Sequence, residues 1–64
     1  MKKLIGYRVK DTNTGFYVRH EWDGVGTTRV RTKPISLTSA MVLADRWCHA
    51  GNLGHVVPVF RVSK

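Results

Sequence analysis

A chain of 64 residues is expected to form one domain, 1–64, and a domain this short buries only about 60% of the surface its unfolded form exposes. One helix on one small sheet exhausts such a core, which leaves no material for a deep catalytic cleft, while 42% hydrophobic residues exclude a disordered chain. Lys and Arg number 11 against 4 Asp and Glu, a formal charge of +7, so the expected partner is polyanionic: nucleic acid first, an acidic protein surface second, a membrane surface last.

The amino terminus, Met1-Lys2-Lys3-Leu4-Ile5-Gly6, is too short an apolar run for a signal peptide or a membrane span. Leu4 to Lys10 alternates Ile5, Tyr7 and Val9 with Gly6, Arg8 and Lys10, and predicts a first strand. Asp11 to Gly15 has turn composition. Phe16 to Trp22 predicts a second strand, and Asp23-Gly24 a tight hairpin. Thr27 to Lys33 predicts a third strand, ended by Pro34.

Ser36 has the hydroxyl of an N-cap, and the helix it opens runs to about Ala50, where Gly51-Asn52 stops it. Leu37, Ala40, Met41, Ala44, Trp47 and Cys48 share one face of that helix; Thr38, Asp45, Arg46 and His49 lie on the other. His55 to Val62 predicts a fourth strand in which Pro58 demands an edge or a bulge. The expected fold class is therefore α+β. It is a β-β-β-α-β domain in which an antiparallel three-stranded meander is covered on one face by the helix. A right-handed crossover would put the fourth strand parallel to the first and beside it, in the order 4-1-2-3.

Side chains alternate across a sheet, so the register that buries the apolar set also fixes the open face. Ile5, Tyr7, Val9, Phe16, Val18, Trp22, Thr28 and Val30 would lie under the helix. Arg8, Lys10, Tyr17, Arg19, Glu21, Arg29, Arg31 and Lys33 would then face out, which is six cations with one carboxylate and one tyrosine. A solvated face ordinarily mixes its signs, so this single-sign face is the candidate site. Arginines there could contact phosphates or guanine edges, and Tyr17 could pack against a base or the sugar-phosphate backbone.

Catalysis finds less support. Asp11, Glu21, Asp23 and Asp45 fall on separate elements and form no acid–base pair, and Cys48 with His49 and His55 lacks zinc-site spacing. Cys48, on the core face of the helix, would be a small hydrophobe. No catalytic residue, metal or cofactor is expected. A lone cysteine permits no intrachain disulfide and suits a reducing compartment, here the cytoplasm of a bacterium or a phage-infected host. Both faces of strand 55–62 are apolar, which makes it a candidate surface for a partner or for self-association.

Three strands bearing Arg8, Arg19, Arg29 and Arg31, followed by a helix with an alanine and Trp47 toward the sheet, resemble sheet-reading DNA-binding domains. These are the arm-binding domains of phage and transposon integrases and the plant ethylene-response-factor domain. The resemblance spans Tyr7 to Trp47 and implies that those arginines read DNA; the fourth strand is an addition to that pattern. Ser36 to Ala44, Trp47, Gly51 and the final Val-rich strand are similar to small phage accessory proteins of the anti-restriction and anti-CRISPR kind. That similarity implies an inhibitor of a host protein or nucleoprotein complex. The leading expectation is a nucleic-acid-binding module, with DNA preferred over RNA, that uses Arg8, Lys10, Tyr17, Arg19, Arg29, Arg31 and Lys33. An inhibitor that binds an acidic host protein is the alternative.

Overall fold

The computed structural model describes residues 1–62. Its elements are β1 (Lys2–Asp11), β2 (Tyr17–Glu21), β3 (Gly24–Thr28), α1 (Leu37–His49) and β4 (Gly54–Val62). The four strands form one sheet in the order β3-β2-β1-β4, with every neighbouring pair antiparallel. The α+β class, the covered meander and the edge position of the last strand are as the sequence predicts.

The direction of β4 is not: it runs antiparallel to β1 rather than parallel. The return across the sheet is made by the extended segment 29–35, not by the helix. That segment ends in a two-way backbone pairing of Ile35 with Tyr7, at 2.8 and 2.9 Å, antiparallel to β1. The helix then runs back alongside β1, from the level of Tyr7 to that of Thr12, whose N–H donates to the Leu53 carbonyl at 2.8 Å. β4 must therefore descend. Tyr7 spends both its backbone groups on Ile35, so its pairing with Pro58 carries no hydrogen bonds and the missing proline N–H points to the open edge. Gly6 permits the crossing. A Cβ there would stand 2.8 Å from Pro34 Cβ and 3.0 Å from the Ile35 carbonyl oxygen.

The core is small. Val9, Val18, Ala40 and Leu43 are buried, with Tyr7, Val25, Ile35, Ala44, Trp47 and Val56 packed around them. Ser36 caps the helix as expected, its hydroxyl accepting from the Ser39 N–H at 3.2 Å. The buried stripe is rotated from the predicted one, however. Leu43 takes the centre, while Leu37, Met41 and Cys48 are exposed. Cys48 is thus a surface thiol rather than a core residue.

Four other core assignments change. Ile5 sits at a bulge between Leu4 and Gly6, beyond the start of the helix, and is exposed with Leu4, Phe60 and Val62. Trp22 and Asp23 form the hairpin turn, with Gly24 already in β3, so Trp22 is 97% exposed. β3 stops at Thr28, which leaves Val30 72% exposed, and Thr28 itself pairs with Tyr17 and so lies on the open face.

Candidate nucleic-acid interface

The pairing fixes which side chains share the face away from the helix. Lys10 lies opposite Tyr17, and Tyr17 opposite Thr28; Arg8 and Arg19 follow at the next alternate positions. Buried Val9 and Val18 point the other way. Tyr17 is the centre of the group. The Lys10 ammonium stands 5.2 Å from its ring centroid and the Arg8 guanidinium 5.8 Å, both within cation–π range.

Glu21 is the carboxylate of this face. It lies across Gly26, where any Cβ would collide with it, and reaches Arg19 at 3.7 Å. Both side chains are substantially exposed, so the pair orients Arg19 without neutralising it.

The rest of the predicted site divides. Arg29, Arg31 and Lys33 are not on a strand, because the sheet ends before them. Arg29 instead covers the Phe16 ring at 5.3 Å. Arg31 is exposed in the return segment. Lys33 rejoins the group by another route. Arg8 Nε donates to the Thr32 carbonyl at 2.6 Å, which anchors the return segment beside Arg8. The structure thus brings together Arg8, Lys10, Tyr17, Arg19 and Lys33, and leaves Arg29 and Arg31 apart from them. The DNA-reading roles that the integrase and ethylene-response-factor resemblance implies for Arg29 and Arg31 lose their strand.

His55 joins the face unannounced by the sequence. It lies opposite Lys10, and its Nδ1 is 3.2 Å from Thr12 Oγ1. The available signal was the pairing of β4 with β1, which alternation along a single strand does not carry.

The same return segment creates a cleft. β2 pairs with β1 only at Val18 and Tyr17 and then diverges. The gap holds a cavity of about 190 Å³ with an aliphatic floor of Val9, Val18, Ile35 and Leu43. Arg8, Arg19, His20 and Lys33 also line it.

Among the described residues no three His, Cys, Asp or Glu side chains cluster as a metal site requires, and no helix is long and apolar enough to cross a membrane. No family model, curated protein or solved structure matches the chain.

Proposed function

We propose that the chain is a nucleic-acid-binding module that uses the open face of its sheet. The observation that carries this reading is the cluster of Arg8, Lys10 and Arg19 around Tyr17 on a face the helix leaves uncovered. Its cations can replace the counterions condensed on phosphates, and the tyrosine ring offers a surface to a base or a sugar. DNA is the first expected ligand, in the cytoplasm of a bacterium or of a phage-infected host.

Neutralising two cations tests it. Lys10→Gln with Arg19→Gln should leave the fold intact, since neither side chain belongs to the core. Binding to duplex DNA, single-stranded DNA and RNA should weaken. The slope of log affinity against log salt should fall by about 1 for each lost phosphate contact. Arg46→Gln on the helix should change neither quantity. An unaltered slope in the folded double variant would remove the basic face as the site.

One observation favours the inhibitor reading as a second. Trp22 is 97% exposed at the hairpin tip, and tryptophan is a preferred anchor of protein interfaces. In that reading Trp22→Ala abolishes binding to an acidic host protein while leaving the salt slope for nucleic acid unchanged. Self-association along the outer edge of β4 is the weaker proposal, because Pro58 removes a donor from the middle of that edge.

A further inference from the structure

We infer that the cleft between β1 and β2 is a slot for a single unpaired nucleobase, so that the face binds single strands in preference to duplexes. This rests on the nucleic-acid reading and narrows its ligand to single strands.

β2 leaves β1 after two paired residues, and Ile35 takes up the Tyr7 backbone that a longer β2 would have met. The sheet is therefore interrupted beside its most cationic residues. The interruption is not filled: about 190 Å³ remains, floored by Val9, Val18, Ile35 and Leu43. Pockets for drug-sized ligands run from roughly 300 Å³ upward, so this smaller slot has room for one ring system and little else. Its floor is aliphatic, which disfavours an ion or a sugar seated there.

Its surroundings specify the rest of the ligand. Arg8, Arg19 and Lys33 line the same cleft, and Glu21, which contacts Arg19, is the acidic group nearby. A ring whose faces rest on the aliphatic floor and whose polar edge turns toward Arg8, Arg19 and Lys33, with anions outside, describes a base whose flanking phosphates stay at the surface. A paired base inside a duplex presents only an edge in either groove, so it cannot insert its ring face. Single strands meet no such barrier.

Two oligomers of equal length and charge separate this inference from the reading beneath it. One is oligothymidylate; the other is an abasic deoxyribose-phosphate chain. Each is titrated into the full chain carrying ¹³C-labelled methyl groups. With the slot in use, oligothymidylate binds about tenfold more tightly or better, since each tenfold corresponds to about 1.4 kcal/mol and burying roughly 60 Å² of ring surface on the aliphatic floor supplies that much. The methyl signals of Val9, Val18, Ile35 and Leu43 shift with oligothymidylate and stay in place with the abasic chain. Equal affinities with unmoved methyl signals would overturn the slot and leave the basic face standing. Binding of neither oligomer at low salt would overturn both.

Discussion

Asp11 is the buried charged side chain among the described residues, 6% exposed. Its Oδ2 accepts from the Thr14 hydroxyl at 2.7 Å and the Thr14 N–H at 3.1 Å, and its Oδ1 accepts from the Trp47 indole at 3.1 Å. One carboxylate thus closes the first turn and ties the helix to the sheet. The Thr14 hydroxyl, then the Trp47 indole, holds its pKa below the usual carboxylate range. A depressed folded pKa contributes stability above the unfolded value, and that stability is lost as pH falls through the folded one. Melting temperature should therefore drop below about pH 4. Asp11→Asn keeps an acceptor but no charge, so its deficit against the parent chain should shrink over the same interval. A deficit constant from about pH 7 to about pH 3 would mean that the charge contributes nothing. The turn was legible from Asp11 to Gly15, but the bond to Trp47 joins residues 36 apart and no local pattern announces it. The two tryptophans make the same point. Each sits in an apolar pattern, yet Trp47 packs on the core and Trp22 is turned out by a hairpin displaced one residue from Asp23-Gly24.

At the scale of elements, strict alternation made β1 readable, and Pro58 made β4 an edge strand. Ser36 and Gly51 marked both ends of the helix. What alternation could not give was the end of β3. Arg29 to Lys33 has the composition of a strand, and only the demand that Ile35 reach Tyr7 pulls it off the sheet. The same event removed Arg29 and Arg31 from the predicted site and opened the cleft beside Arg8. The helix face was misread for a related reason. Leu37 and Met41 have core character, but the helix meets the sheet through Ala40, Leu43 and Trp47, small enough at Ala40 for close approach. Gly6→Ala tests the crossing. Its added Cβ meets Pro34 and Ile35 at a glycine with positive φ, so overpacking should cost about 1–3 kcal/mol in thermal or urea unfolding. Gly15→Ala supplies the comparison, having positive φ but open space, and should cost only about 1–2 kcal/mol. If Gly6→Ala proves the milder of the two, Pro34 does not press on β1 as described. The Tyr7 and Ile35 amides should also exchange faster in Gly6→Ala, because their mutual hydrogen bonds depend on that approach.

Charge acts on the molecule as a whole. The chain carries a formal charge of +7, and its described residues form a body of 40 × 22 × 20 Å. Screening extends over about 30 Å at 0.01 M salt and about 10 Å at 0.1 M. In dilute buffer nearly every cation therefore feels the others, and at moderate salt only its neighbours. Arg19 with Glu21, and His49 with Asp45 when the imidazole is protonated, are exposed ion pairs among the described residues, so salt has little attraction to remove there. A core of four buried residues gives little reserve against the repulsion. Sodium chloride should accordingly stabilise the fold, raising the melting temperature by several degrees between about 0.01 M and about 0.3 M, where about 1 kcal/mol corresponds to 4–8 °C in a domain this size. A bound polyanion acts on the same repulsion at its strongest point, so in dilute buffer an oligonucleotide should raise the melting temperature further, and by less as salt increases. A melting temperature that falls with sodium chloride would mean that attraction dominates the surface. The excess of lysine and arginine would then already be balanced within the fold, and the case for a polyanionic partner would lose its basis in charge.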